Sequence, residues 1–92
     1  MIRSFRSKKT ESLYNGVRVK DFQAFAKQAE RRLQILDSAT RLQDLAALPS
    51  NRFEALAGDR KGLFSIRINQ QWRVCFEWGD DGPFNVEIVD YH

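Results

Sequence analysis

One cysteine, one histidine and two prolines among 92 residues, and no apolar run near membrane-spanning length, already narrow what this chain can be. A lone thiol cannot close an internal disulfide, and one Cys with one His cannot supply four ligands to a structural zinc. A disulfide scaffold and a zinc domain are therefore excluded, and no cofactor is expected. Nothing approaches the roughly 20 apolar residues of a membrane span, and the start, Met1-Ile2-Arg3-Ser4-Phe5-Arg6, leads into no signal-like apolar stretch. The expected compartment is the reducing cytoplasm, with no membrane partner and with Cys75 simply packed. The segment Gly58-Asp59-Arg60-Lys61-Gly62 also lacks the spacing and the Lys-Ser/Thr of a nucleotide-hydrolase phosphate loop.

What is present is enough for one core. Hydrophobic residues make up 42% of the chain, including seven Phe and two Trp, so residues 1–92 are expected to fold as a single domain. The formal net charge is +3, unevenly spread. Residues 1–46 hold ten Lys/Arg against five Asp/Glu (+5), and residues 47–92 hold five against seven (−2). The basic half, with Lys8 and Lys9 near its start, is the favoured contact for a polyanion. A surplus of three is too small for tight, sequence-independent grip on free nucleic acid.

Periodicity gives the elements. Residues 1–6 read as a short strand with Ile2 inward, and residues 10–14 as one helical turn closed by Asn15-Gly16. From Asp21 as N-cap, Phe22, Phe25, Ala29, Leu33 and Leu36 form one helical stripe. From Thr40 as N-cap, residues 41–48 make a second, antiparallel helix, with Leu42, Leu45 and Leu48 on one face, ended by Pro49. The period then drops to two. Phe64, Ile66 and Ile68, then Trp72, Val74, Phe76 and Trp78, describe two strands joined by Asn69-Gln70-Gln71. A third follows over residues 84–89 after the turn Gly79-Asp80-Asp81-Gly82-Pro83. The order β-α-α-β-β-β predicts an α+β domain.

Three features carry chemistry. Alternation puts Arg67 and Arg73 on the same side of the hairpin, facing each other, where an anion would relieve their repulsion and a guanidinium fork matches phosphate oxygens. Neutralisation by Glu77, Glu87 or Asp90 is an equally weighted alternative. The terminal Asp90-Tyr91-His92 brings together an acid, a phenol and the only imidazole. RNA cleavage by its own 2′-OH needs a base, an acid and cations for the phosphorane charge, and these groups with Arg73 meet that list without a metal. Against this stands a frayed, functionless end. Arg60 and Lys61 sit between two glycines on a loop that suits phosphate contact or plain solubility.

Taken together, Gly58-Asp59-Arg60-Lys61-Gly62, Ser65-Ile66-Arg67-Ile68-Asn69, Gln71-Trp72-Arg73-Val74-Cys75-Phe76 and the closing Val86-Glu87-Ile88-Val89-Asp90-Tyr91-His92 resemble the HigB branch of the RelE/ParE toxin superfamily, along nearly the full length. The resemblance implies a RelE-like microbial RNase fold, with an N-terminal strand and two antiparallel helices on a small, mainly antiparallel sheet. It implies a type II toxin-antitoxin toxin that cuts mRNA in the ribosomal 30S A site. It further implies a helix-turn-helix, HigA-like antitoxin as partner, through which operator DNA is met indirectly.

Carried over by position, Arg73 matches the phosphorane-stabilising arginine and Asp90, Tyr91 and His92 match the C-terminal active-site cluster. Arg60, Lys61 and Arg67 become RNA or ribosomal contacts. Glu54 stands where some relatives have an active-site histidine, and Ala57 where a basic residue occurs nearby; Glu54 is then a base or a brake, and weaker cleavage is expected. A non-catalytic RNA- or ribosome-binding module, or an antitoxin-dependent regulator, is the alternative reading.

Overall fold

The computed structural model describes residues 1–90, the side chain of Arg60 excepted. Three helices, α1 (Lys8–Tyr14), α2 (Ala26–Ser38) and α3 (Leu42–Ala46), precede the strands β1 (Glu54–Ala55), β2 (Leu63–Arg67), β3 (Trp72–Gly79) and β4 (Gly82–Asp90). The sheet is antiparallel throughout and runs β1-β2-β3-β4 in space as in sequence. The α+β architecture is as the sequence pattern predicts.

The long apolar stripe behaves as its spacing requires: Phe22, Phe25, Ala29, Leu33 and Leu36 are all buried. Its beginning differs. Residues Lys20–Phe25 form a 3-10 turn capped by Val19, and Asp21, rather than capping, pairs with Lys9. Three-residue spacing eclipses side chains on a 3-10 turn. Phe22 and Phe25 thereby both reach Trp72, with ring centroids 6.0 Å and 4.9 Å away. The two-helix expectation is thus corrected to three, because the turn around residues 10–14 grows into α1 once Ser7 Oγ accepts from Thr10 N at 3.3 Å.

The second helix is shorter than expected, five residues. The Asp44 carboxylate accepts from the backbone N–H of Thr40 and of Arg41, each at 3.1 Å. The Thr40 N–H foremost holds its carboxyl below the usual carboxylate range. Pro49 opens a further 3-10 turn, Pro49–Asn51.

The expected N-terminal strand shrinks to one parallel bridge, Phe5 to Val86. Pro83 has no N–H to offer and Asn85 sits at φ 51°, so β4 cannot present a regular ladder on that edge. Inside, Ile66, Ile68, Val74, Phe76, Val86 and Ile88 pack against the helical residues in one cluster. The other sheet face carries Ser65, Arg67, Arg73 and Cys75.

Candidate active site

The site forms on the face of β1, β2 and β3 that carries Ser65, Arg67 and Arg73. Arg67 and Arg73 are directly opposed across the β2–β3 pair, as alternation predicts. Their mutual repulsion is eased by divergence. Arg67, half-buried, donates from Nε to the Asn69 carbonyl at 3.1 Å. Arg73 sinks into the sheet until only 6% of it is exposed.

Three acceptors hold Arg73 there. Its Nε donates to Ser65 Oγ at 2.8 Å, and one terminal nitrogen, NH2, donates to the Ser65 carbonyl at 3.3 Å and to the Arg52 carbonyl. The other, NH1, lies 3.8 Å from Glu54 Oε1 on β1. Among the described residues the carboxylate paired with Arg73 is therefore Glu54. Glu77 accepts instead from Asn85 Nδ2 at 2.7 Å, and Asp90 from Gln71 Nε2 at 3.0 Å. A guanidinium fixed in this way needs little reorganisation to stabilise negative charge arriving at its outer end.

Around it lies an open cleft of about 440 Å³ lined by Arg52, Glu54, Arg67, Asn69, Gln70 and Arg73. Asn69 shapes the hairpin end: its Oδ1 accepts from the N–H of Gln71 and of Trp72, each at 2.8 Å, a local turn of the kind Asn favours. Glu54 faces Ser65 across the β1–β2 pair.

The other expected site residues are placed less centrally. Lys61 is exposed after the turn Gly58–Arg60 and does not line the cleft. Arg60 has its backbone in that turn, and its side chain lies outside the description. Lys8 and Lys9 open α1, which packs on β4 at the far side of the sheet, and neither lines the cleft. Asp90 ends β4 opposite Trp72, and strand alternation sets it with Ile88 on the helical side, away from Arg73. Tyr91 and His92 lie outside the described residues.

Sequence reasoning passed over three contributors. Ser65 is fully buried; a hydroxyl alternating with core isoleucines on a polar strand face was the signal. Asn51 is buried as well, its Nδ2 donating to the Leu45 carbonyl at 3.0 Å and its Oδ1 accepting from Arg32 at 2.7 Å. Arg52 adopts a left-handed backbone, φ 45° and ψ 49°, which no periodicity announces.

The profile of the RelE-like toxin of type II toxin-antitoxin system HigB matches residues 3–92. This chain belongs to the HigB-like toxin family. Among individual HigB relatives, Toxin HigB-1 of Vibrio cholerae is 49% identical over 58 residues, 63% of this chain and 61% of that protein. Endoribonuclease HigB of Proteus vulgaris is 30% identical over the whole of both chains. The HigB-like fold also matches solved structures titled as a YoeB–YefM complex and a YoeB dimer, both from Staphylococcus aureus. Their TM-scores are 0.62 and 0.57 at 21% identity, covering 100% and 99% of this chain and 98% and 94% of theirs.

Proposed function

We propose that this HigB-like toxin is an endoribonuclease that cleaves mRNA in the ribosomal A site, without a metal, by attack of a 2′-OH on the adjacent phosphorus. A new 2′-O–P bond forms, the 5′-oxygen leaves, and the 2′ proton passes to a base while an acid protonates the leaving oxygen. Arg73 stabilises the phosphorane charge, and Tyr91 and His92 carry the proton transfers. The observation that carries this reading is the buried Arg73, gripped by Ser65 and Arg52, with NH1 3.8 Å from Glu54 Oε1, in a cleft that Arg52 and Arg67 also line. Asp90, which accepts from Gln71 Nε2 at the end of β4, is the carboxylate of that catalytic cluster. Arg67, and at longer range Arg60, Lys61, Lys8 and Lys9, contact mRNA or ribosomal RNA.

Ribosome dependence suits the electrostatics. With a surplus of +3, the chain relies on the ribosome to present the strand it cuts. The partner is an antitoxin, proposed as a HigA-like helix-turn-helix protein that also links the complex to operator DNA. Among the described residues no helix is long and apolar enough to cross a membrane, in keeping with action in the cytoplasm, where ribosomes are.

Induction of the chain by itself should arrest growth and generate mRNA 5′ ends at translated codons, and both should vanish in Arg73→Ala and in His92→Gln. Arrest without new ends, indifferent to His92, would favour a binding module instead; no arrest would favour a regulator acting only with its antitoxin. Glu54 is expected to act as a brake, because its carboxylate stands 3.8 Å from the NH1 that a phosphate oxygen would approach. Replacement by histidine should speed cleavage on programmed ribosomes by roughly two- to fivefold, the scale of an exposed ion pair. A slower His variant would assign Glu54 a productive role.

A further inference from the structure

Two helices converge on the turn that supports Arg73. Asn51 ends the 3-10 turn Pro49–Asn51, and its side chain is fully buried. Its Nδ2 donates to the Leu45 carbonyl at 3.0 Å, near the C-terminal end of α3, where carbonyls lack the usual intrahelical partner. Its Oδ1 accepts from NH1 of Arg32 on α2 at 2.7 Å, and the same NH1 donates to Ser50 Oγ at 3.3 Å. One buried amide thus fastens the turn to α2 and to α3.

The next residue carries that anchorage to the site. Arg52 has φ 45° and ψ 49°, and its carbonyl accepts from Arg73 NH2. A non-glycine residue with positive φ is uncommon and persists where its surroundings over-determine it. Here they do so from both sides. Before it stands the clamped Asn51, with the Arg52 N–H donating to the Pro49 carbonyl at 3.1 Å. After it, Phe53 stacks on Phe64 of β2, ring centroids 5.7 Å apart and planes at 18°. The Arg52 carbonyl therefore has little freedom to swing away from the guanidinium.

We infer that Arg32 and Asn51 are positioning residues for Arg73: together they hold the Arg52 carbonyl in place, and through it they set where the Arg73 guanidinium sits. This rests on the nuclease reading, which it extends to two residues that do not line the cleft. A transition-state donor is effective only when the groups around it fix its place in advance. Arg32 joins α2, whose other face builds the core, to that support.

The setting of Arg32 fits this role better than that of a solvated helix cation. An arginine serving only solubility keeps its head in water, whereas Arg32 is half-buried and turns NH1 inward to a buried amide. Burial foremost, and then the neighbouring Arg31, pull its guanidinium below the usual range. Both of its partners in the turn, Ser50 and Asn51, are neutral.

The variants are made in the full chain. Arg32→Met keeps the apolar stem and removes the guanidinium, Arg32→Lys keeps one donor, and Asn51→Asp keeps the shape and an acceptor for Arg32 while losing the donor to Leu45. Arg31→Met is the control for surface charge on α2. Each is first shown folded by its thermal transition, and Arg32, at the edge of the core, keeps the test available where Asn51→Asp does not fold. The first readout is the Arg73 Nε–Hε NMR resonance of the free protein, assigned by its loss in Arg73→Ala. It should shift and exchange faster with water in Arg32→Met and in Asn51→Asp, return close to wild type in Arg32→Lys, and stay unmoved in Arg31→Met.

The second readout is single-turnover cleavage of mRNA on programmed ribosomes. Arg32→Met should lower the rate roughly tenfold with KM level, the scale of one charge-assisted hydrogen bond, and Arg32→Lys should recover most of it. In the Arg73→Ala background Arg32→Met should cost nothing more, because residues that act through one group are not additive. A folded Arg32→Met protein whose Arg73 resonance and exchange match wild type would overturn the inference. So would a rate loss that persists undiminished in the Arg73→Ala background, or one confined to KM and shared by Arg31→Met, either of which would make Arg32 a surface contact. If the resonance responds as expected yet wild type never cuts, the nuclease reading falls and the positioning of Arg73 stands.

Discussion

Arg73→Ala is expected to lower the single-turnover rate of mRNA cleavage on programmed ribosomes by roughly 100- to 1000-fold, the cost of removing one preorganised donor from an oxyanion-stabilising site. The same loss should appear with lysine, although the charge is kept. A lysine ammonium cannot reproduce the fixed set of bonds to Ser65 Oγ, the Ser65 carbonyl and the Arg52 carbonyl. It would sit as a mobile point charge.

Ser65→Ala tests the support rather than the group itself. Without the hydroxyl, Nε loses a partner worth about 1.5 kcal/mol, so the rate should drop roughly tenfold while ribosome affinity, read as KM, stays level. All three variants leave buried polar atoms short of partners, so each must first be shown folded by its unfolding transition. A folded Arg73→Ala protein that cuts within tenfold of wild type would remove Arg73 from the chemistry.

The second large effect concerns stability. Phe76 is fully buried at the centre of β3, opposite Phe64 on β2. Ring centroids lie 6.0 Å away at Phe64 and 6.4 Å away at Trp78. Phe76→Ala should cost about 3–5 kcal/mol, through lost transfer energy and the cavity left behind. A domain of this size has only about 5–10 kcal/mol in total. The thermal midpoint should fall by roughly 15 °C or more, at about 4–8 °C per kcal/mol. Leu48→Ala is the contrast: Leu48 is 38% exposed, and its replacement should stay within about 0.5 kcal/mol. A Phe76→Ala midpoint within about 5 °C of wild type would mean that the core closes over the gap.

Phe76 and Arg73 share a strand, three residues apart, and point to opposite faces. Their substitutions should therefore separate cleanly. Phe76→Ala weakens the fold that carries the site, whereas Arg73→Ala removes the chemistry from it.

The helical stripe from Phe22 to Leu36 and the hairpin of Ile66, Ile68, Val74 and Phe76 were legible in the sequence because burial on one face imposes a period on the order of apolar residues. The opposition of Arg67 and Arg73 followed from the same rule, since a short link between alternating strands leaves little choice of register. The resemblance carried by the Ser65-Ile66-Arg67 and Trp72-Arg73-Val74 blocks and the Asp-Tyr-His end pointed to the family that the profile match bears out.

Other features had no periodic trace. β1 is two residues long, too short for any alternation, yet it brings Glu54 to Arg73. The 3-10 start at Phe22 and Phe25 was invisible because a three-residue spacing fits either helix, and Trp72 makes the choice. The N-terminal strand failed because its partner edge on β4 is broken by Pro83 and Asn85, a property of the neighbour and not of residues 1–6.

Sequence by itself determined the α+β class, the core-facing residues and the pair of facing arginines, because local periodicity encodes which face meets the core. Only the tertiary structure decided that Arg73 is held by Ser65 and Arg52, that Glu54 stands 3.8 Å from it, and that Arg52 joins the cleft. Those contacts link residues 8 to 21 positions apart, and they depend on where the chain bends, which a one-dimensional pattern does not record.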